Sequence, residues 1–418
     1  MLYLYILIVT LVLGCFSTRG SADEFAVEFS GFASLAGSYS DDPDIGFRSN
    51  YLNAADTGWS IKRDSILGGQ ANISLAENWD SVVQLVLQDR ELRSFDNYLE
   101  LAFLRYRPNR NWAVRIGRIN SDLYLLSEYP YVSYAYLWSR PPHEYYAFAS
   151  TAGHYDGIDL EYNQDISEGF LSVKLASGKT KPDLGVGNEE FSVTFENLFT
   201  LSAVYVRDEW TIKASTSQAD ISEFESIPYS YLINALDATP ASLWPQAAEF
   251  SRGLNSQHHK LTYSALGLSF DNYDWLIQTE IGTAKSTWLL APPNITGYIS
   301  AGYRVDDLTY FAGLSAAKNT HQPPQVNLPE LPESLPSEIR MATQQLTAVT
   351  ERAIQRAVVN QYSVNLGAKW YFSDKLVFKA QVDHFVIQPT GGGYWDMETG
   401  INSKHHINIF SLSGSMVF

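Results

Sequence analysis

His406-Ile-Asn-Ile-Phe-Ser-Leu-Ser-Gly-Ser-Met-Val-Phe418 is the last stretch of the sequence. Phe410, Leu412, Gly414, Met416 and Phe418 alternate with Ser411, Ser413, Ser415 and Val417. A period of two is the strand period, because successive side chains point to opposite faces of an extended chain. One face of this strand is apolar and the other is mostly hydroxyl, so the strand separates an apolar medium from a polar one. A strand needs about 9–11 residues to cross a bilayer core, and this run is long enough.

The pattern recurs throughout the chain. Phe25, Val27, Phe29, Gly31, Ala33, Leu35, Gly37 and Tyr39 form one face of the first run. Leu67, Gly69, Ala71, Ile73 and Leu75 oppose Gln70, Asn72 and Ser74; Trp210, Ile212 and Ala214 oppose Lys213; Leu376, Phe378, Ala380 and Val382 oppose Lys379, Gln381 and Asp383. Similar runs sit near 83–88, 97–107, 112–118, 158–162, 171–175, 201–205, 266–270, 273–281, 295–303, 308–317 and 364–372. The connections give an independent signal. Alternate ones are short, as at 77–80, 108–111, 165–168, 207–209, 271–274, 305–307 and 373–374. Those between are long, near 40–58, 120–155, 178–198, 219–257, 286–294, 319–360 and 389–403, with 91–96 the exception. Tight turns on one side and long loops on the other mark a transmembrane barrel. The expected fold is all-β: one antiparallel barrel of about sixteen strands over 23–418.

Composition agrees. Aromatic residues make up 14%, with 26 Tyr and 10 Trp, and no apolar run after the N-terminus reaches the roughly 20 residues of a membrane helix. Residues 2–16 are apolar and are followed by small polar residues, which predicts a secretory signal peptide over 1–22. No Lys or Arg precedes the run, a departure from the usual pattern. A second reading cuts before Cys15, where Val12-Leu-Gly-Cys15 weakly resembles a lipoprotein box. Cys15 is the only cysteine, so a chain cut after Ala22 has no disulfide, thiol nucleophile or thiolate metal site. A formal charge of −17 does not suit nucleic acid.

Among the long loops, 219–257 carries Pro228, Pro240 and Pro245 and reads as irregular. Residues 319–336 are proline-rich and extended. Residues 338–358 lack Gly and Pro and predict a helix, either a lid over the mouth or, on the blander reading, a surface helix packed on neighbouring loops.

The remaining signal lies at 97–155. Two runs around the turn 108–111 carry Arg105, Arg107, Arg110, Arg115 and Arg118; an aromatic insertion, 120–155, follows. Phe29-Ser-Gly-Phe32, Val114-Arg-Ile-Gly-Arg118, the long insertion directly after it and the terminal Phe418 together resemble Gram-negative general porins. That resemblance implies an outer-membrane homotrimer set among lipid and lipopolysaccharide, passing small hydrophilic solutes and ions by passive diffusion. It implies that the third external loop, 120–155, folds inward. It also implies that wall arginines Arg105, Arg107, Arg115 and Arg118 face loop carboxylates Asp122, Glu128, Glu144 and Asp156, with Arg140 on the same loop. Opposed charges across a constriction make a transverse field that favours polar and ionic solutes. The blander reading places Arg107 and Arg110 at the turn and leaves Arg105 ambiguous, while Arg115, flanked by Val114 and Ile116, points to the lumen. The loop is richer in Tyr and Trp than the family's. Its tyrosines read either as a track for sugars or as packing against the wall.

No other chemistry stands out. His258-His259 and His405-His406 are adjacent pairs that point to opposite faces in a strand and chelate poorly. No metal or cofactor motif appears, nor GxSxG, HExxH or a phosphate loop. The sequence is read as a non-enzyme. The alternatives are an outer-membrane hydrolase with a Ser/His site and a plugged structural or adhesive barrel.

Overall fold

The computed structural model describes residues 25–186, 189–397 and 401–418. The leader expected at 1–22, with Cys15, lies outside them. Among the described residues eighteen strands form a single sheet, and two of these are short, Trp59–Ser60 and Asp183–Val186. The other sixteen build the wall. They are β1 Ala26–Ser40, β2 Ile66–Ala76, β3 Trp79–Leu87, β4 Leu99–Tyr106, β5 Trp112–Asn120, β6 His154–Ile166, β7 Gly169–Thr180, β8 Glu189–Arg207, β9 Trp210–Glu225, β10 His259–Asp271, β11 Trp275–Ser286, β12 Asn294–Val305, β13 Leu308–Asn319, β14 Val359–Ser373, β15 Leu376–Gly392 and β16 His405–Val417.

Each wall strand pairs antiparallel with its sequence neighbour, and β1 closes the ring on β16. Ala33 is the partner of Leu67 on one side and of Met416 on the other. Among the described residues closure leaves the wall no open edge, so each wall strand has strand partners on both sides.

The alternation sorts the side chains. On β9, Trp210 and Ile212 are exposed outward while Lys213, Ser215 and Ser217 are buried inward. On β16, Phe410, Leu412 and Met416 face out and Ser411, Ser413 and Ser415 face in. The outward face carries cross-strand aromatic pairs beside the short turns. Ring centroids lie 4.5 Å apart for Trp79–Tyr106, 4.6 Å for Trp112–Tyr162, and 4.7 Å for both Trp210–Phe270 and Trp275–Tyr303. Each such pair adds about 0.5–1.5 kcal/mol beyond burial. Together they form a girdle of the kind that sits at a membrane interface. In the turns Ser167, Asp208 and Asp306 have φ of 49°, 50° and 52°, the left-handed backbone that tight hairpins require. No helix among the described residues is long and apolar enough to cross a membrane.

Two loop expectations are corrected. The connection expected at 178–198 is mostly strand: β7 runs to Thr180 and β8 starts at Glu189, because alternation continues through Phe191, Val193 and Phe195. Residues 219–257 are not irregular. β9 runs to Glu225, and helices Ile227–Asp237 and Ala247–Leu254 follow. Pro228 falls in the first turn of its helix, where a missing N–H costs nothing. Ser226 caps that helix by accepting from the Tyr229 N–H. A third helix, Ser337–Gln355, packs Ala353 and Ile354 against Leu232, Leu236, Trp244, Phe250 and Leu254 of the other two. These helices form a small apolar cluster on the long-loop side.

Candidate functional site

Residues 121–153 join β5 to β6 and contain the short helix His143–Ala149. The helix starts directly after Pro141-Pro142. The segment hydrogen-bonds to inward-facing side chains of β7–β9 and β11–β16. Asp122 bonds to Lys213 of β9 and accepts from Ser202 Oγ of β8 at 2.7 Å. Glu128 meets Lys174 of β7 at 2.7 Å. Glu280 of β11 accepts from the Leu125 N–H at 2.8 Å and from Tyr145 Oη at 3.1 Å, and also bonds Tyr146. Trp138 Nε1 donates to Ser300 Oγ of β12 at 3.0 Å. Lys369 of β14 donates to the carbonyl of Tyr134 at 2.7 Å. Lys379 of β15 donates to the carbonyls of Tyr136 at 2.9 Å, Trp138 at 2.6 Å, and Ser133. Ser133 and Ser139 pair with Ser415 and Ser413 of β16. Tyr134 Oη reaches the Asp374 carbonyl, in a short turn, at 2.7 Å.

Apolar packing accompanies these bonds. Leu123, Tyr124, Leu126, Tyr136, Leu137, Trp138, Tyr145 and Tyr146 form one buried cluster with Tyr263, Tyr298 and Phe311 of the wall. The tyrosines are therefore packing groups rather than an exposed track. Toward β2–β5 the segment's hydrogen bonds are fewer: Asn120 Nδ2 at the end of β5 donates to the Ser127 carbonyl at 3.1 Å, and Arg90, between β3 and β4, donates to Tyr131 Oη at 3.3 Å. On that side a cavity of about 80 Å³ lies between Tyr124, Pro130 and Tyr136 of the segment and Asp64, Ile66 and Gln88.

The electrostatics of the segment follow from these partners. Burial alone would raise the carboxyl pKa of Asp122, but Lys213 and Lys174 outweigh it and hold the group well below the usual carboxylate range. Glu128 is likewise lowered, chiefly by Lys174 against burial. Among the described residues Glu144 has no cation beside it. It accepts from Ser363 Oγ and Gln361 Nε2 at 2.9 Å each and from Ser315, and burial raises its pKa. His143 Nε2 donates to the Arg48 carbonyl, 2.9 Å away. Burial, then the nearby Arg140, push its imidazole down to about 3. Arg140 bonds Asp64, Asp383 at 3.3 Å and Ser411 at 3.1 Å, and lies 4.6 Å from the Phe47 ring centroid.

The structure rearranges the pairs expected from sequence. Arg115 faces inward and is buried, but its partner is Asp159 on β6, not a carboxylate of the segment. Arg105 binds Asp80 at the short-turn end, together with Arg107. Arg118 is a correction: it shares the outward face with Ile116, which is 57% exposed, and pairs with Asp156 and Asp96. Three positions separate Arg115 from Arg118, and an odd step along a strand reverses the face. Gly117 between them has φ of 129°, and a Cβ there would lie 2.3 Å from the Ala102 carbonyl. Asp122, Glu128, Arg140 and Glu144 all meet the wall, at separate places. The wall groups that sequence reasoning missed are Lys174, Lys213, Glu280, Lys369, Lys379 and Asp383. Each stands opposite an apolar row, the one signal that marks it as inward.

No family model and no curated protein matches this chain. Solved structures do. An anion-selective porin from Comamonas acidovorans is 10% identical, with a TM-score of 0.55, covering 94% of this chain and all of that one. OmpF of Salmonella typhi, solved with daunomycin, is 10% identical, with a TM-score of 0.52 over 96% of this chain and all of that one. OmpT, an outer membrane protein of Vibrio cholerae, is 12% identical, with a TM-score of 0.51 over 95% of this chain and 99% of that one. The fold is that of the outer-membrane barrels. At such identities the likeness concerns architecture: this porin-like barrel shares a strand plan with those proteins, and its inward charges have to be read from its own residues.

Proposed function

We propose that the chain is an outer-membrane porin that passes small hydrophilic solutes and ions by passive diffusion. In this reading the short turns face the periplasm and the long loops face outward. Residues 120–155 fold into the lumen as the constriction, and three copies assemble among outer-membrane lipid and lipopolysaccharide. One solved structure of the Vibrio cholerae protein is described as a trimer form. The carrying observation is the asymmetry of the segment. It is fastened most densely to β7–β9 and β11–β16, with fewer bonds toward the first strands, and leaves a cavity there bordered by Asp64, Gln88 and Arg140. Polar walls with fixed charges suit hydrated solutes.

A second reading, a plugged barrel, draws on the density of the same bonds, which reach down to the Asp374 turn. Single-channel recording in planar bilayers separates the two. A porin gives stepwise conductance from the intact chain. A plugged barrel gives steps only after residues 130–142 are removed. Absence of steps from both proteins, each heat-modifiable and inserted, would sink the channel reading. Crosslinking of the native membrane tests the trimer.

A further inference from the structure

On the long-loop side of residues 121–153 the barrel holds a second, larger cavity of about 200 Å³. Its character is unlike that of an aqueous channel. Phe148, Phe191, Phe195, Phe224, Leu261 and Trp288 supply much of its wall. Among the described lining residues there is no Asp, Glu or Lys, and the one charged side chain is Arg356.

The inward row of β9 shows how the sequence makes this change. It reads Lys213, Ser215, Ser217, Ala219, Ile221 toward the long loops, all buried. The row turns from cationic and hydroxylic to apolar within one strand. Leu198 on β8 and Leu261 on β10 continue the apolar patch sideways. A barrel that only conducts water and ions has a polar interior. Apolar residues that only anchor loops pack to native density and leave few voids. Here the loops close over the patch, with Tyr51, Tyr229, Leu290, Ala357 and Tyr394 at its edge, yet the space between remains. Apolar cavities stay dry or take apolar guests. Sites for small organic molecules are mostly apolar with a few placed polar groups.

Arg356 sits at the C-terminal end of helix Ser337–Gln355. It is exposed, and among the described residues it makes no ion pair. A guanidinium on the rim of an apolar hollow selects for a body that prefers the hollow and a head that prefers the cation.

We propose that this cavity is a binding site for an amphiphilic organic anion, with an aromatic or short aliphatic body and one carboxylate or sulfonate directed to Arg356. The site goes beyond the channel reading. Binding is measured without any current, so a barrel that fails to conduct leaves the site standing.

The test uses the full chain in lipid nanodiscs, titrated with 2-naphthoate and with its neutral analogue 2-naphthamide. Calorimetry and Trp288 fluorescence are the readouts. Wild type should bind both saturably, naphthoate more tightly. Ala219→Trp fills the cavity and should weaken both by about tenfold or more. Leu261→Asn provides the same loss by polarity and serves where Ala219→Trp does not give a heat-modifiable barrel. Arg356→Gln should weaken naphthoate by about tenfold and leave naphthamide unchanged. Binding no greater than to empty nanodiscs overturns the site, as does wild-type affinity in both cavity variants. Equal loss of both ligands in Arg356→Gln overturns the anion assignment.

Discussion

The guanidinium of Arg115 grips Asp159 with two prongs, Nε at 3.0 Å and Nη2 at 2.5 Å from Oδ2. The two residues are direct partners across β5 and β6. Asn120 Oδ1 accepts from Nη1 at 3.2 Å, and Tyr155 Oη donates to Asp159 at 3.1 Å. The ion pair is thus satisfied from several sides, and its charges cancel when viewed from a distance.

Selectivity should therefore respond to either half of the pair. Asp159→Asn frees the Arg115 charge and should move the reversal potential in asymmetric salt toward anions. Arg115→Glu places two carboxylates side by side and should move it toward cations. Breaking a buried pair costs about 3–5 kcal/mol, so heat-modifiability is checked first. Arg118→Glu, on the outward face, should leave the reversal potential unchanged. Arg110→Glu, at the turn, should have a small effect, screened by salt over about 10 Å. Equal shifts from Arg115→Glu and Arg118→Glu would show that the inward and outward assignments are wrong.

The second prediction concerns what holds the segment. Lys379, nearly buried, spends its ammonium on three carbonyls of residues 133–138 and lies 4.6 Å from the Tyr136 ring centroid. Lys379→Met leaves those carbonyls without a donor, at about 1–3 kcal/mol for each group that water cannot reach. The segment should loosen, and single-channel records should show more frequent closures at the same peak conductance. Removing Pro130–Pro142 deletes the obstruction itself and should raise conductance severalfold. Unchanged conductance in the deletion would mean that the segment does not narrow the path.

These partners explain what the sequence can and cannot reveal. The barrel was legible because alternation and loop length are local properties: Lys213 between Ile212 and Ala214 declares its face without any tertiary information. The same rule separates Arg115 from Arg118, three positions on. Grouping them as one wall by family pattern overrode that parity. Partner identity is different. Lys379 meets Trp138 across 241 positions, and Arg140 meets Asp383 across 243. Such pairs exist only once β16 has closed on β1 and the segment has turned inward, so no local spacing encodes them. The helix at Ile227–Asp237 was hidden by reading Pro228 as a breaker, when a first-turn proline is a helix start.

The third prediction is a pH dependence. His143 stacks among Phe47, Phe385, Tyr394 and Trp395, with ring centroids 5.0–6.0 Å away, and its pKa is lowered from 6.5 to about 3 by burial and Arg140. A base lowered in the folded state binds fewer protons than the unfolded chain between those values. Its contribution to stability is therefore lost as pH falls from about 6.5 toward 3. Glu144, raised by burial, acts in the opposite sense just above the ordinary carboxylate range. Asp122 and Glu128, both lowered, lose stability below it. The single contribution is isolated by difference. The temperature of heat modification should fall from pH 7 to pH 4 in wild type, and by several degrees less in His143→Phe, which keeps the stacking. Parallel curves for the two proteins would refute a neutral, buried His143.

The last prediction concerns barrel closure. Phe418 and Gly31 exchange backbone bonds, Gly31 N–H to the Phe418 carbonyl at 2.8 Å and Phe418 N–H to the Gly31 carbonyl at 3.0 Å. A Cβ on Gly31 would lie 2.4 Å from the Phe418 ring, so the ring occupies the space that any larger residue at 31 would need. Gly31→Val must then displace the ring. Phe418→Asp removes the ring and places a charge on the apolar face. Each should lower the yield of heat-modifiable barrel and leave unfolded chain behind. If displacement of the ring is the cause, the two sites couple. Gly31→Val should cost much less in a Phe418→Ala background than in wild type, a departure from additivity that contact predicts. Additive losses would mean that the two residues act separately, and full yield from Gly31→Val alone would mean that the ring does not seal the first and last strands.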